Sequence, residues 1–252
     1  MNRVLFEITG ADRVDFLQGL VTNDMAKLGD GSKNSLLYAA LLSPQGKYLA
    51  DFFLATRADA PETILLDAPE ALAPALIQRL SMYKLRADVQ IAPSSLIASR
   101  GTGPAPEGAL PDPRHSALGW RLYNARDQSD GTDWEALRVA HCIPAAGIEL
   151  IPNESYILEA GFERLHGVDF KKGCYVGQEV TARMKHKTEL RKGFARVAIE
   201  GSAPVGTSIL ADGKDAGTLF TQSGGRAIAY LRFERAQGEM QAGAAKLRLD
   251  PI

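Results

Sequence analysis

The densest group of reactive side chains lies between Phe170 and Phe194, in the stretch FKKGCYVGQEVTARMKHKTELRKGF. Cys174 comes two residues after Lys172 and directly after Gly173. A nearby cation and the amides of a turn favour the thiolate form of a cysteine, which is both the nucleophile and the metal ligand. Cys174 is therefore a candidate nucleophile or iron ligand, and a buried structural thiol is the alternative.

The same region concentrates positive charge. From Arg164 to Arg196 there are nine basic and three acidic residues, whereas the whole chain has a formal net charge of −1. Such a local excess attracts anionic ligands or acidic partners. A dedicated nucleic-acid binder carries a global positive charge instead, so direct RNA binding is the less favoured interpretation.

Other side chains offer single contacts. Glu159 is a carboxylate in the apolar run YILEAGF, where it either accepts hydrogen bonds from a ligand or takes an exposed position. Trp134 could stack on an aromatic ring, although its position at a helix start favours the core. Cys142, beside Ile143, is expected to pack inside the protein. The four histidines fit no zinc-binding spacing, so no metal site is predicted.

Alternating helices and strands must position these residues in the first half of the chain. A short amphipathic helix is predicted from about Asp12 to Val21, and two strands are predicted around a hairpin turn at Ser43–Gly46. A helix with Pro69 in its first turn follows, and residues 86–100 alternate as strands do. This order favours antiparallel β-β-α-β units over a doubly wound sheet.

The second half changes character twice. Residues 101–114 are rich in proline and glycine, which predicts a loop or a domain boundary. Thr132 and Glu135 have the spacing of a capping box, so a helix through Ala140 is expected. After Arg191, short β-type runs broken by glycine, proline and aspartate predict a small all-β barrel.

Length and composition exclude several classes of protein. The chain has 252 residues, of which 45% are hydrophobic and 23% charged, as in ordinary globular proteins. Apolar runs such as Leu36–Leu42 are far shorter than the roughly 18 residues of a membrane helix, so no membrane association is predicted. The first residues, MNRVLFEITGADRVDF, lack the features of a signal peptide or an import leader, and two cysteines argue against a disulfide framework. A cytoplasmic location is therefore expected.

The segment Lys172–Glu179, KGCYVGQE, resembles the K-G-C-[YF]-x-G-Q-E signature of the YgfZ-like folate-binding proteins. These proteins are relatives of the aminomethyltransferase, or T-protein, of the glycine cleavage system. Further matches to the family occur in order along nearly the whole chain: Gly10–Asp12, Phe16–Gly19, Thr22–Asp24, Ser43–Lys47, Tyr83–Arg86, Asp112–Arg114, Leu118–Gly119 and Arg138 through Ile143-Pro144 to Gly147.

The resemblance implies an α+β fold, in which two ferredoxin-like α+β parts and a small C-terminal β-barrel form a three-lobed ring around tetrahydrofolate. The first part would comprise residues 1–48 with 118–190, the second residues 49–117, and the barrel residues 191–252. A monomer is expected.

The resemblance also implies roles for individual residues. Lys172 and Cys174 would face the central region, where Lys172 would hold Cys174 as a thiolate. Trp134, ten residues before Pro144, has the spacing of a folate-contacting tryptophan. Glu159 lies in a Leu-Glu-Ala-Gly motif whose glutamate holds the pterin ring, through hydrogen bonds from the N–H groups of the pterin.

Asn23, Asp51 and Arg183 complete the predicted set of cofactor-binding residues. Asp51 corresponds to one of two aspartates that support aminomethyl transfer in the T-proteins, and the second is missing from Gly46–Asp51. Arg3 stands where some members of the family have a folate-contacting aromatic residue. These departures leave open whether the chain is an enzyme.

The function that the resemblance implies is that of a folate-binding accessory protein for the assembly or repair of iron–sulfur clusters, including the 4Fe–4S clusters of tRNA-modifying enzymes. Cys174 would contact a cluster transiently, and the partners would be iron–sulfur apoproteins or assembly factors. The alternatives are a folate-dependent aminomethyl or one-carbon transferase and an RNA-binding module.

Overall fold

The structure is a computed structural model that describes residues 2–29, 31, 33–187 and 189–250. The chain divides into two compact units. The first unit consists of Met1–Thr132, Pro152–Glu154 and Phe162–Ala182, and the second consists of Asp133–Ile151, Ser155–Gly161 and Arg183–Ile252.

The first unit is built on two antiparallel sheets. Its strands and helices, in chain order, are β1 (Arg3–Thr9), α1 (Arg13–Gln18), β2 (Ser35–Leu42), β3 (Tyr48–Thr56), β4 (Ile64–Pro69), α2 (Ala73–Lys84), β5 (Gln90–Pro93), β6 (Ile97–Gly101), β7 (Leu110–Pro111) and β8 (Trp120–Asn124). The larger sheet has the strand order β2-β3-β4-β1-β5, and the smaller has the order β6-β8-β7. The predicted β-β-α-β order with antiparallel pairing is confirmed.

Both faces of the larger sheet are covered. Neighbouring residues of a strand point to opposite faces. Leu66 of β4 therefore lies in one apolar cluster with Leu17 of α1 and Leu80 of α2, whereas Leu65 lies in another with Tyr123 of β8. Burial on both faces explains why β2 and β3 are almost continuously apolar in the sequence.

Local sequence signals in this unit are largely confirmed. The hairpin turn between β2 and β3 is closed by the amide of Gly46, which donates to the carbonyl of Ser43 at 2.8 Å. Pro69 does not begin α2, as the sequence suggested, but ends β4, and Pro74 occupies the first turn instead. Val14, predicted on the apolar face of α1, is exposed, whereas Leu17 of the same helix is buried.

Buried charges connect the two sheets of the first unit. Arg121 of β8 donates to Asp67 of β4 and to Asp112, in both cases at 3.0 Å. Arg114 makes a two-pronged contact with Asp112 at 2.8 and 2.9 Å. The guanidinium of Arg121 also lies 3.8 Å from the ring centroid of Phe53, so the cations are held by carboxylates and an aromatic face together.

The second unit contains α3 (Trp134–Ala140) and a closed β-barrel. Helix α4 (Gln178–Lys187) begins in the first unit, and from Arg183 onward its residues belong to the second. The barrel strands are β9 (Lys192–Glu200), β10 (Ser208–Ala211), β11 (Lys214–Ser223), β12 (Arg226–Arg232), β13 (Met240–Ala242) and β14 (Ala245–Leu249). Their order around the barrel is β10-β11-β12-β9-β14-β13.

The predicted α+β class with a C-terminal barrel is confirmed. Strand β13 was not predicted, because it has only three residues, too few for a visible alternation. The predicted run 246–252 ends outside the described residues, at positions 251 and 252.

The predicted capping box at the start of α3 is wrong. Asp133, not Thr132, caps the helix, and its carboxylate accepts from the amide of Ala136 at 3.0 Å. The hydroxyl of Thr132 contacts Asp130 and Thr102 instead. The aspartate prevails because it stands one residue closer to the first helical residue, Trp134.

The predicted three-part division of the chain stays a prediction. Its boundary at 48/49 falls at the first residue of β3, which pairs with β2 in the larger sheet. Its third part, residues 191–252, includes all six strands of the barrel.

Candidate functional site

The signature segment Lys172–Glu179 lies in the first unit, ahead of and within the first turn of α4. The side chains of Lys172 and Tyr175 are buried, with exposed fractions of 6% and 8%. Gly173 and Cys174 between them are exposed. The segment therefore presents its thiol to solvent from a loop whose flanking side chains point into the protein.

Lys172 attaches this loop to the end of α1. Its Nζ donates to the carbonyl oxygen of Gln18 at 2.7 Å and also to that of Val21. Gln18 is the last residue of α1, where carbonyl groups have no partner inside the helix and attract cations. The ammonium group further lies 4.9 Å from the ring centroid of Tyr175.

Burial changes the acid–base behaviour of Lys172. Removal from water lowers the pKa of its ammonium group from 10.5 to about 8, although the charges of Asp24 and Asp169 act in the opposite direction. At neutral pH the group is mainly protonated, and it can donate to both carbonyls.

Gln18 links two of the sequence motifs beneath Lys172. Its side-chain amide donates to Asp24 at 3.1 Å, and its side-chain oxygen accepts from the amide of Met25 at 2.8 Å. Asp24 in turn accepts from the amide of Ala26 and caps a short 3-10 turn. The matches at Phe16–Gly19 and Thr22–Asp24 are thus parts of one support for the signature loop.

The other end of the loop is fixed by a close backbone approach. Gly177 has φ +84°, and a Cβ at this position would lie 2.6 Å from the carbonyl oxygen of Ser43 in the β2–β3 turn. Gly46 in the same turn has φ +73°, and its Cβ would lie 2.7 Å from the Cβ of Val180. Only glycine fits both positions without displacing a neighbour. The structure therefore brings the signature into direct contact with the predicted hairpin.

Cys174 and Cys142 differ in accessibility. Cys174 is exposed, whereas Cys142 in the second unit is 1% exposed and lies in an apolar cluster with Val139 and Ile228. The packing role predicted for Cys142 is confirmed. The predicted thiolate-holding role of Lys172 stays a prediction, because the contacts of its ammonium group are the carbonyls of Gln18 and Val21 and the Tyr175 ring.

Asn23 is buried in the first unit. Its side-chain amide donates to the carbonyls of Tyr38 and His166 at 2.8 and 2.7 Å, and its side-chain oxygen accepts from Lys27 at 2.8 Å. These bonds engage both ends of the side chain in holding the turn around His166 against β2. The role of Asn23 in folate binding stays a prediction.

Asp51 is also buried in the first unit, on β3. Its carboxylate accepts from the hydroxyl of Tyr48 at 2.6 Å and from that of Tyr38 at 3.1 Å. Burial, followed by the charge of Asp51, raises the pKa of both tyrosines, so their hydroxyls stay protonated and donate. The role of Asp51 in folate binding stays a prediction as well.

Trp134 and Glu159 lie in the second unit. Trp134 is half-buried in the first turn of α3. Glu159 is half-buried, and its Oε2 accepts from the hydroxyl of Tyr230 at 2.6 Å. Burial and this hydrogen bond raise the pKa of Tyr230. Within the part of the chain that the structure describes, the second carboxylate oxygen of Glu159 makes no hydrogen bond.

The basic region contributes exposed charge to the second unit. Arg183, Lys185 and His186 are exposed on α4. Arg196 of β9 has a structural role, since it pairs with Asp250 at 2.8 Å and donates to the carbonyl at the end of α3. The side chain of Lys187, counted in the same region, lies outside the described residues. The role of Arg183 in cofactor binding stays a prediction.

The described residues contain neither a metal-binding cluster nor a helix that could span a membrane. No group of three or more His, Cys, Asp or Glu side chains in residues 2–29, 31, 33–187 and 189–250 is arranged to hold a metal ion. Over the same residues, every helix is too short or too polar to cross a membrane.

Two contacts of the candidate residues were missed by sequence reasoning. The contact of Gln18 with Lys172 is not predicted from the motif Phe16–Gly19, since the two residues are 154 positions apart. Tyr230, the partner of Glu159, lies 71 positions from it on a barrel strand. No local pattern signals either pair.

The fold is that of the aminomethyltransferases of the glycine cleavage system. The crystal structure of aminomethyltransferase T from Bartonella henselae superimposes on this chain with a TM-score of 0.77. The match covers 99% of this chain and 83% of the other, at 15% sequence identity. Residues 191–252 also match the family model for the C-terminal beta-barrel domain of CAF17.

In sequence, the chain is similar to the iron–sulfur cluster assembly factor IBA57. It is 29% identical to mitochondrial IBA57 of Mus musculus over 98% of this chain and 80% of the relative, and 28% identical to that of Homo sapiens over 97% and 79%. The IBA57 homolog of Mycosarcoma maydis is 31% identical over 76% of this chain. The matched region covers 54% of the length of that relative. None of these relatives is named as a YgfZ-like protein, so that narrower assignment stays a prediction.

The expected cytoplasmic location is contradicted by these relatives, all three of which are mitochondrial proteins by name. Composition and cysteine content report how a domain is solvated and cross-linked, and they do not specify its compartment.

Proposed function

We propose that this chain is a folate-binding accessory protein for the assembly or repair of iron–sulfur clusters, and that Cys174 is its contact to the cluster. The observation that carries the proposal is an exposed thiol on a loop fixed at both ends, by Lys172 on one side and Gly177 on the other. A rigid loop presents the sulfur in one orientation at little entropic cost. The similarity to IBA57 supports the same role.

The cluster must be shared with a partner. Iron–sulfur clusters are held by several cysteine thiolates. This chain has two cysteines, and Cys142 is buried in an apolar cluster, so Cys174 supplies a single ligand. The remaining ligands come from an iron–sulfur apoprotein or an assembly factor, and the cluster is cargo that passes through the contact.

The folate part of the proposal depends on Glu159 and Trp134. Glu159 fits a pterin because one carboxylate oxygen is held by Tyr230 while the other is available to accept from N–H donors. A half-buried carboxylate forms stronger hydrogen bonds than an exposed one. The half-buried indole of Trp134 provides an aromatic face in the same unit. Tetrahydrofolate, when bound, would supply a carrier for one-carbon units.

The cluster role is tested by genetic rescue. A strain that lacks the protein is supplied with the wild type or with Cys174→Ala, and the activity of a 4Fe–4S enzyme is measured. We expect rescue by the wild type and activity at the level of the deletion strain for Cys174→Ala. Gly173→Ala is the matched control, since its Cβ would meet no atom within 4 Å. Full rescue by Cys174→Ala would exclude the proposed contact.

The folate role is tested by titrating the purified protein with tetrahydrofolate and following tryptophan fluorescence. Glu159→Gln should raise the Kd about tenfold, because a charge-assisted hydrogen bond becomes a neutral one. Trp134→Phe shows whether the change in fluorescence comes from Trp134, since Trp120 also emits. Glu163→Gln, a change at an exposed glutamate, should leave the Kd unchanged. An equal Kd for Glu159→Gln and the wild type would remove Glu159 from the site.

The proposed clients include enzymes that modify tRNA. If this chain serves such enzymes, tRNA from the deletion strain should lack nucleosides made by iron–sulfur enzymes. Cys174→Ala should not restore these nucleosides. Normal levels of these nucleosides would restrict the proposal to other clients.

Aminomethyl transfer is the second candidate function, because the fold is that of an aminomethyltransferase. An assay with the aminomethylated lipoyl carrier protein and tetrahydrofolate tests it directly. The carboxylate of Asp51 is bound by two tyrosine hydroxyls, and the second aspartate is absent from Gly46–Asp51, so we expect no product.

A further inference from the structure

An exposed leucine follows the last residue of α2. Leu85 is 88% exposed and has φ +43°, in the left-handed region of backbone conformation. A leucine gains nothing from burial at such a site, and a side chain with a Cβ is strained there. Neither feature stabilises the chain by itself.

The conformation of the turn makes a leucine at position 85 unusual. The amide of Ala87 donates to the carbonyl of Lys84 at 2.8 Å, which places Leu85 and Arg86 at the centre of a four-residue turn. Leu85 has φ +43° and ψ −106°, values close to the first central position of a type II′ turn. Glycine is the residue that this position favours. The chain has a large apolar side chain where glycine would be unstrained.

The turn is held firmly in place. The amide of Asp88 donates to the carboxylate of Asp12 at 2.8 Å, and the amide of Ala11 donates to the carboxylate of Asp88 at 3.2 Å. Gly10 comes so close that a Cβ there would lie 2.1 Å from the carbonyl oxygen of Asp88. Val89 is fully buried. The contacts of residues 87–89 therefore fix the turn in an orientation in which Leu85 is exposed to solvent.

The surroundings of Leu85 combine an exposed apolar side chain with charged ones. Met82, one helical turn earlier, is 65% exposed. The nearby carboxylates, those of Asp12 and Asp88, accept from backbone amides. The nearby cations are Arg79, Lys84 and Arg86. In the described residues, no carboxylate forms an ion pair with any of these three side chains. We call the set Arg79, Met82 and Lys84–Arg86 the α2 tip.

We infer that the α2 tip is a docking surface for a partner protein that presents an apolar pocket bordered by carboxylates. Leu85 fills the pocket, Met82 extends the apolar contact, and the unpaired cations meet the acidic border. An apolar side chain that is already held in position loses little conformational entropy on entering a pocket, and complementary charges around it steer association. Two apolar side chains are too few for stable insertion into a lipid surface, which requires a broad apolar face. The rescue assay for this docking surface rests on the proposed function in iron–sulfur cluster assembly, whereas the docking surface itself does not.

The key variant is Leu85→Gly, because it removes the anchor and the strain together. The Tm should be equal to that of the wild type or higher, since glycine accepts this backbone conformation. The rate at which Cys174 reacts with a thiol reagent should be unchanged. In the rescue assay, we expect the activity of the 4Fe–4S enzyme to fall towards the level of the deletion strain. Loss of function without loss of stability separates docking from folding.

Separate variants test the charge of the α2 tip and whether the effect depends on the position of the substitution. Lys84→Glu combined with Arg86→Glu should also abolish rescue, because the border of the pocket would then be repelled. Lys214→Glu and Val205→Ser change an exposed cation and an exposed apolar residue of the barrel unit, and both should rescue fully. If wild type rescues and Leu85→Gly rescues equally, the α2 tip is not the docking surface.

A second measurement tests docking whatever the function of the protein proves to be. A photoreactive diazirine amino acid is placed at position 85 of the full chain, or at position 205 as the control, and irradiated in cells. We expect a protein adduct at position 85 alone, lost in the charge-reversed variant, whose cross-linked peptide has apolar residues flanked by Asp or Glu. No adduct at position 85, or a peptide without acidic residues, would overturn the inference. Sedimentation of the wild type, but not Leu85→Gly, with phosphatidylglycerol vesicles would overturn it in favour of a membrane surface.

Discussion

The ammonium group of Lys172 lies 2.7 Å from the carbonyl oxygen of Gln18, and this contact joins two segments 154 positions apart in the chain. It satisfies a carbonyl at the end of α1 and fixes one end of the loop that carries Cys174. The lysine of the signature thus supports the loop through the backbone of α1.

Replacing this lysine should change how stability depends on pH. The pKa of Lys172 in the folded protein is about 8, below its ordinary value of 10.5. Between these two values the unfolded chain holds more protons than the folded one, so the free energy of unfolding rises with pH. Relative to Lys172→Met, the wild type should gain up to about 1.4 kcal/mol per pH unit in this window.

Urea unfolding at pH 7.5, 9 and 10 measures this difference. Lys171→Met is the control, because Lys171 is the exposed neighbour in the sequence. A difference between the wild type and Lys172→Met that is constant with pH would show that the buried amine does not titrate in this range.

Gly177→Ala should destabilise the protein by about 3 kcal/mol, since its Cβ would lie 2.6 Å from the carbonyl oxygen of Ser43 at a residue with φ +84°. Gly173→Ala, in the same signature, should change the free energy of unfolding by less than about 0.5 kcal/mol, because its Cβ meets open space. Denaturant unfolding of both variants gives the comparison. Equal effects would mean that the signature does not press against the β2–β3 turn.

Asp112→Asn should destabilise the first unit by about 3 to 5 kcal/mol at pH 7, because it weakens the pairing of two buried arginines. Burial alone would raise the pKa of Asp112, but the charges of Arg114 and Arg121 outweigh it and hold the pKa below 3.8. The stabilisation is present above the unfolded value and is lost as pH falls through the folded one. Unfolding measurements at pH 7 and pH 3 should show the gap to the wild type shrinking.

Asp59→Asn is the matched control for this prediction. Asp59 also pairs with an arginine, Arg57, but it is exposed, so its removal should change stability by less than about 1 kcal/mol. A similar loss for the two variants would contradict the buried cluster.

Asp133→Ala should destabilise the second unit by about 1 kcal/mol, because the amide of Ala136 loses its capping acceptor. Thr132→Ala should leave this cap intact. Thermal unfolding followed by circular dichroism compares the two. The opposite order of stability would restore the capping box that the sequence alone predicts.

Much of the fold was predictable because its signals are local. Apolar periodicity and turn residues within ten or so positions define α1, the hairpin at Ser43–Gly46, α2 and most strands of the barrel. The packing role of Cys142 follows from its apolar neighbours in the same way. At the start of α3 the local signal was misleading, because the sequence predicts Thr132 as the cap whereas Asp133 caps the helix.

Only the tertiary structure decided what the candidate residues contact. The contacts of Lys172 with Gln18, of Gly177 with Ser43 and of Glu159 with Tyr230 join distant segments, which no periodicity or spacing encodes. In the sequence, Asn23 and Asp51 can be recognised only as polar residues. The packing of the chain determines that their side chains form hydrogen bonds inside the protein. The sequence by itself determined which residues can do chemistry and which elements carry them. The long-range packing of those elements determined which side chains are buried as supports and that the thiol of Cys174 is exposed, because burial is a property of the folded chain as a whole.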